Sequence, residues 1–364
     1  MFYTPDVFVT SSDNPVEPLS DEEREAAPAG QATADQRTPL RLSILIPTHN
    51  RQELLLRTLT ELKRQCTRGP DAVEVVVVND GSIDQTAEVL AGFDPEARYA
   101  LHTFTLEKAA GPAVARNTGL RHVRGHTVLI MGDDVVPAEG MIERHMAWHE
   151  QHPEPEAALL GRVGWPVELK PDTFMHWLED GGRMFFFNYK DLPSDAPIAP
   201  TFFYTANVSL KRALIERAGG FFDETFPFAS HEDLEFGYRL GQAGMRLFYD
   251  PDTFGYHWHW LDLRGTARRI YIMGYSSLWY WAKVPDTSNR LRKISRWCLM
   301  QVGASRCAHS LLRRLIRRAE HRTDGEQSTW GPILHLCYWC GAGDSRRKRD
   351  AGLFAQDLVE EHRT

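Results

Sequence analysis

Leu42-Ser43-Ile44-Leu45-Ile46-Pro47-Thr48-His49-Asn50-Arg51 joins a nearly continuous apolar run to an abrupt polar turn. An apolar run with no polar alternation marks a strand covered on both faces, as in a parallel sheet. A helical stretch follows, with Leu55, Leu59 and Leu62 at helical spacing. The pattern then repeats. Val73-Glu74-Val75-Val76-Val77-Val78 reads as a second buried strand and ends in Asn79-Asp80-Gly81-Ser82. Ser82-Ile83-Asp84-Gln85 has the form of a capping box and predicts a helix start there. A weaker strand is expected at residues 100–104, then a helix opened by Gly111-Pro112 with Pro112 at its first position. The last clear strand, residues 126–131, runs into Gly132-Asp133-Asp134. Strands recurring every ~25–30 residues with helices between them predict βαβ units and a parallel sheet. Right-handed crossovers then gather the strand ends on one rim, where ligands of such sheets bind.

Working outward, the chain of 364 residues is 42% hydrophobic and 25% charged, the balance of an ordinary globular protein. That length suits one large domain with an extension, or two domains. No apolar run approaches the ~18 residues of a bilayer span, and residues 270–282 are interrupted by Gly274, Ser276 and Ser277. The N-terminus lacks a basic segment followed by an apolar one, so no secretory signal is read. Five cysteines are an odd set, which argues against a disulfide framework and for a reducing cytosol. A cytoplasmic location is expected, extending to the inner face of a membrane. The net charge of -7 hides an asymmetry. Residues 1–39 are acidic and poor in large apolar groups, and are expected to form a disordered tail. Beyond residue 289 the balance turns basic, with Arg313, Arg314, Arg317, Arg318 and Arg346-Arg347-Lys348-Arg349. This distribution does not suggest nucleic-acid binding by the middle of the chain. The expected division is therefore a tail at 1–39, an α/β domain at 40–260 and a helical extension at 261–364.

The polar turns carry the chemistry. The first strand is not followed by Gly-x-Gly-x-x-Gly, and no GxxxxGK[ST] loop occurs, so a dinucleotide or triphosphate would lack its usual backbone cradle. Asp80 at a strand end is either a turn-former or a carboxylate facing a base or ribose. Asp133-Asp134 is either a turn or a site for a hard divalent cation, since adjacent carboxylates repel unless a positive charge lies near. Arg116 within a helix is a solvated residue or a phosphate contact. Downstream, Glu232-Asp233 falls in the first turn of a predicted helix whose apolar face includes Leu234, Tyr238 and Leu240. The helix dipole accounts for one acid there, and a pair beside His231 could also supply a general base. His257-Trp258-His259 alternates, so a strand would place both imidazoles on one side. Cys337 and Cys340, near Cys307, His309 and His335, have irregular spacing and read as small buried hydrophobes rather than zinc ligands.

Taken in order, residues 43–51, 77–82, 115–119 and 132–134, then Asn207, Gly219-Gly220-Phe221 and Glu232-Asp233, resemble the family 2 glycosyltransferases. From Glu232 to His257 the pattern is also similar to polypeptide N-acetylgalactosaminyltransferases and related galactosyltransferases. The resemblance spans about residues 41–259. It implies an α/β fold of the GT-A type, a mixed, mostly parallel sheet flanked by helices, with a helical C-terminal extension. It implies a nucleotide-sugar donor, UDP-linked by expectation, contacted by Pro47, Thr48, Asn50, Arg51, Asp80, Arg116, Asp133 and Asn207. It further implies Mn²⁺ or Mg²⁺ on Asp134 and His257, and Asp233, with Glu232 beside it, as the base of an inverting transfer. One departure stands out: Gly132 occupies the place of the first acid of the family's Asp-x-Asp. It motivates a second reading, a nucleotide-sugar-binding module without transfer activity. Nucleotidyl transfer is a third, and would want a Gly-rich or Lys-bearing loop where residues 47–51 stand. The acceptor, carbohydrate, lipid-linked or protein, is left open. After Leu261, Tyr271, Tyr275, Leu278 and Trp279 at helical spacing predict packing helices, with the basic region as a candidate for peripheral membrane contact.

Overall fold

In the computed structural model, which describes residues 40–180, 187–285, 290–320 and 327–351, the apolar runs become the centre of an eight-stranded sheet. The expected tail at 1–39 lies outside the described residues. Strand β1 (Leu42–Thr48) pairs in parallel with β2 (Val73–Asn79) and β4 (Thr127–Met131), and β2 pairs in parallel with β3 (Ala100–Thr105). Helices α1 (Gln52–Gln65), α2 (Thr86–Gly92) and α3 (Pro112–Leu120) supply the crossovers. Every residue of β2 and β4 is buried, which is why neither shows polar alternation.

Beyond β4 the sheet becomes mixed. Four more strands follow: β5 (Val135–Pro137), β6 (Ala157–Gly164), β7 (Asn207–Lys211) and β8 (Arg246–His257). The full order is β3-β2-β1-β4-β7-β6-β8-β5. β7 runs antiparallel to β4 and β6, β8 runs parallel to β6, and β5 antiparallel to β8. Six strands therefore share one direction, and their C-terminal ends form a common rim. Between these strands lie α4 (Met141–Gln151), α5 (Thr173–Asp180), α6 (Arg212–Arg217) and α7 (Glu232–Gln242).

Two local expectations are corrected. The second helix begins at Thr86, not at Ser82: Asp84 Oδ1 accepts from the Thr86 amide at 3.0 Å, while Ser82 closes the turn by donating its amide to Asn79 Oδ1. The buried face of α7 is Phe236 and Leu240 with Glu232 and Glu235, whereas Leu234 and Tyr238 are half-exposed.

The last part is helical: α8 (Leu263–Lys283), α9 (Arg290–Gly303), α10 (Arg306–Glu320) and α11 (Gln327–Arg346). Ile270 and Tyr271 of α8, Leu312 and Ile316 of α10 and Leu334 and Cys337 of α11 share one core with Phe174, Met175 and Leu178 of α5. The arginine-rich α10 thus buries an aliphatic stripe and turns its charges outward. Helices α8 and α11 meet backbone to backbone, since a Cβ on Gly274 would lie 1.9 Å from the Tyr338 carbonyl oxygen. Buried Asp344 ties the helices together, accepting from Tyr271 Oη at 2.8 Å and from Arg349 at 2.9 Å and pairing with His309 at 2.7 Å. Cys337 and Cys340 are buried in that core, as small hydrophobes are.

Candidate active site

The three polar turns converge on the rim. Thr48, ending β1, donates to Asp133 Oδ2 at 2.7 Å, and His49 Nδ1 lies 2.6 Å from the Asp80 carbonyl oxygen. Asn50, exposed and left-handed at φ 50°, donates its amide to Ser82 Oγ and accepts from the Ile83 amide on its Oδ1. Pro47 is half-buried, paired in register with Val78.

Arg51 sits between the adjacent acids. Its Nη1 donates to Asp133 Oδ1 at 2.8 Å and to Asp134 Oδ2 at 2.6 Å, with all three side chains largely buried. Two carboxylates at one strand end need a positive charge, and here the chain supplies it. Burial would raise the Asp134 carboxyl, but Arg51, His257 and His259 outweigh it and hold it well below the usual carboxylate range. Burial pushes Asp133 the other way, upward, against the pull of Arg51. The acidic face of Asp134 is completed by two imidazoles. His257 Nε2 lies 3.4 Å and His259 Nδ1 3.7 Å from Asp134 Oδ2, and the rings stack at 5.5 Å. His259 lies just past β8, yet the alternation read from the sequence holds. Burial and the charges of Arg51 and His257 keep His259 well below its ordinary range, hence neutral near pH 7 and able to donate a lone pair. Gly132 has a local reason. A Cβ there would fall 2.7 Å from Asp134 Oδ1, so a side chain at that position would crowd the very carboxylate that faces the imidazoles.

Asp80 is turned into the fold. Its two oxygens accept from the Ala110 and Gly111 amides at 2.7 and 2.8 Å, and burial raises its carboxyl despite those bonds. Gly81, at φ +59°, has no room for a Cβ, which would meet the Ala109 amide at 2.4 Å. The Asp80-Gly81 pair therefore docks the loop that starts α3, and α3 carries Arg116. Asn117, next to it, pins the Phe222 backbone in both directions, at 2.9 and 2.8 Å.

Arg116 Nη1 donates to Glu232 Oε1 at 2.9 Å, both side chains nearly buried, joining α3 to the first turn of α7. Glu232 Oε2 and Arg116 Nε are buried without hydrogen-bond partners. Asp233 is half-exposed beside them, and burial together with the Glu232 charge pushes its carboxyl up to about 7. A carboxyl poised there exchanges a proton near neutral pH.

The structure does not bring Asn207 into this group. It is fully buried, with Oδ1 against His145 Nε2 of α4 at 2.8 Å and Nδ2 donating to the Thr253 and Arg162 carbonyls, so both polar atoms of its side chain serve the packing of sheet and helix. Two residues that the sequence reading left out of the site do join it. His259 belongs with Asp134 and His257, whose ligand atoms all lie within 4.8 Å of one another, the candidate metal cluster among the described residues. Arg269 of α8 is exposed and shares its electrostatic environment with Asp134, Asp233 and Glu232. The repeat of histidine at 257 and 259 was the available signal for the first; nothing in the sequence distinguishes Arg269 from its neighbour Arg268.

Residues 43–216 match the family model described as "Glycosyl transferase family 2". Validoxylamine A glucosyltransferase of Streptomyces hygroscopicus subsp. limoneus is 32% identical over 242 residues, covering 61% of this chain and 52% of that protein. Pre-mycofactocin glycosyltransferase of Mycobacterium tuberculosis (strain CDC 1551 / Oshkosh) is 28% identical over 279 residues, covering 72% and 53%. The chain thus spans about half the length of these curated relatives. The fold is that of a mannosyltransferase from Pyrobaculum calidifontis, solved in complex with GDP-Man and Mn²⁺, at a TM-score of 0.54 and 21% identity, with 85% of this chain and 90% of that one covered.

Proposed function

We propose that this chain, a glycosyltransferase built around a family 2 domain on a GT-A fold, moves a sugar from a nucleoside-diphosphate donor to an acceptor hydroxyl with inversion. The observation that carries this reading is that one rim holds both an Asp134–His257–His259 cluster and the Glu232–Asp233 pair. One set suits a leaving group, the other a nucleophile.

Asp134, His257 and His259 would hold the divalent ion, and a carboxylate with two imidazoles suits Mn²⁺ better than Mg²⁺, which prefers oxygen ligands. When bound, that ion supplies Lewis-acid stabilisation of the departing diphosphate. Arg51, already on Asp134 Oδ2, is placed to move from that carboxylate to a phosphate oxygen, since its fork suits either anion. Thr48, Asn50 and Asp80 would serve the nucleoside side of the donor and Arg116 its diphosphate. Asp233 takes the acceptor's proton as the new bond from acceptor oxygen to the anomeric carbon forms. The bond from that carbon to the phosphate oxygen breaks with its electron pair leaving on the diphosphate. Glu232, held by Arg116, keeps Asp233 basic enough for the task through its like charge.

The direct test is donor binding measured with Mn²⁺ and in EDTA, starting from UDP and its sugars. Tighter binding with Mn²⁺ in the wild type, and no difference in Asp134→Ala, is the expected result. Equal affinity in both buffers for the wild type would remove the metal from the reading. A transfer product that keeps the donor's anomeric configuration would remove inversion.

A further inference from the structure

Helix α9 is built unlike its neighbours. Helices α8 and α11 each bury a face, and α10 buries Leu312 and Ile316, but Gly303 alone is buried among the fourteen residues of α9. The helix is fastened at its C-terminal end, where Gly303 and Gly343 allow backbone contact with α11. Of residues 290–299, all but Arg296 are exposed. Five of the twelve large apolar side chains exposed among the described residues fall in this one helix: Leu291 (76%), Ile294, Trp297, Leu299 and Val302 (59%). That concentration separates the feature from ordinary scattered surface hydrophobes.

The spacing organises them. Leu291, Ile294, Cys298 and Val302 form a stripe at i, i+3, i+7 and i+11, with Trp297 and Leu299 on its two sides. Arg290 and Arg292 fall at the margins of that stripe, and Lys293 and Arg296 behind it. Over residues 290–319 the chain carries nine Lys and Arg residues and no Asp or Glu. A partner for this face must therefore accept aliphatic side chains and be negatively charged around them. Nucleic acid meets the second demand but offers nothing to an aliphatic stripe. An anionic bilayer meets both: the apolar face enters the acyl boundary, Trp297 sits at the headgroup level, and the basic residues meet lipid phosphate. No helix among the described residues is long and apolar enough to cross a membrane, so such contact would lie in the plane of the interface.

We propose that α9 is a peripheral membrane-docking helix selective for anionic lipid. The arginine cluster of α10 adds charge to this face, while the apolar anchor is α9. The proposal is independent of the sugar-transfer reading, because binding is measured without donor or acceptor.

The test is co-sedimentation of the full chain with vesicles of phosphatidylcholine alone and of phosphatidylcholine with about 30% phosphatidylglycerol. The wild type is expected to bind the anionic vesicles at least about tenfold more tightly than the neutral ones, and less tightly as salt is raised. Two variants, Leu291→Ser/Ile294→Ser/Val302→Ser and Arg292→Gln/Lys293→Gln, should each lose about tenfold on the anionic vesicles. These side chains are exposed, so thermal unfolding should match the wild type in both, and a folded variant that binds undiminished overturns the proposal. So does a wild type that ignores anionic vesicles. A dimer in light scattering that dissolves in the apolar variant, together with no vesicle binding, would instead assign the face to a second copy of the chain.

Discussion

On the proposed reading, the chemistry turns on Asp233. With its carboxyl raised to about 7, the protonated form dominates at lower pH and the base becomes available as pH rises. The acidic limb of kcat/KM is therefore expected near 7, with activity falling about tenfold per pH unit below it. Asp233→Asn keeps the shape and cannot take the proton, and should cut kcat by ~10²–10⁴ while leaving donor affinity within a few-fold. Glu232→Gln is the informative companion. It removes the like charge that helps raise Asp233, so the limb should move to lower pH even where kcat survives. A limb that stays in place in Glu232→Gln, or an Asp233→Asn enzyme with near wild-type turnover, would reassign the base. The apparent defect at Gly132 reads differently at this scale. The missing acid leaves space that Asp134 occupies, and Asp133 turns instead to Thr48 and Arg51.

At the scale of elements, the site is assembled by loops that strands and helices hold at fixed ends. The turn after β2 secures the start of α3, α3 presents Arg116, and Arg116 meets the first turn of α7. Helix α8 comes from outside the matched residues 43–216, yet its Arg269 is electrostatically coupled to Asp134 and Asp233. On the proposed reading, an exposed guanidinium there would meet diphosphate charge. Arg269→Gln is accordingly expected to raise the donor KM by about tenfold, with unfolding unchanged because the side chain is exposed. Steady-state kinetics over donor concentration, beside a melting curve, decides it: an unaltered KM leaves Arg269 on the surface with no part in donor binding. Helix α8 itself is tied to α11 through Gly274 and Gly341, whose added Cβ atoms would each lie 1.9 Å from a facing carbonyl oxygen. The C-terminal helices thus pack as one body that shares its core with α5.

For the whole molecule, buried neutral histidines set the response to acid. Burial lowers His145 and His231 to about 4, and His149 well below its ordinary range. Unfolding exposes all three and lets them take up protons below about pH 6.5. Stability from these groups is fully present above pH 6.5 and is lost as pH falls toward their folded values. Asp233 works in the opposite sense, since its raised carboxyl binds a proton in the folded state first and adds stability below about 7. Asp80 and Asp133, raised by burial, do the same further down. His259, lowered in the same way, joins the three histidines against Asp233 and the raised His309, leaving a net loss expected to be about 2–4 kcal/mol between pH 7.5 and 5.5. Urea unfolding at those two pH values measures it. A flat or rising stability would mean that the histidines bind protons without leaving the folded state. His145 and His149 both meet Ser209 Oγ at 2.8 Å, and Lys211 Nζ donates to the His149 carbonyl at 3.0 Å, so this is a hydrogen-bonded layer behind the sheet.

What the sequence determined by itself is what short-range patterns encode. Doubly buried strands show as unbroken apolar runs, Pro112 at the first position of a helix shows as Gly-Pro, and strand ends show as polar turns. These patterns mark β1 to β4 and the polar turns that the fold gathers on one rim. The later strands are less legible because β5 is three residues long, β8 mixes buried and exposed positions, and the pairing of β5 and β7 is chosen by strands far along the chain. Partnership was likewise decided in three dimensions. Arg51 lies 82 residues from Asp133, and Arg116 lies 116 from Glu232, so no local pattern marks either pair. Asn207 sits in a motif that points to a ligand, yet the polar groups nearest it in the fold claim its side chain. The apolar stripe of α9 is written plainly in the sequence. Whether it would be covered depended on neighbouring helices, and their packing left it facing outward.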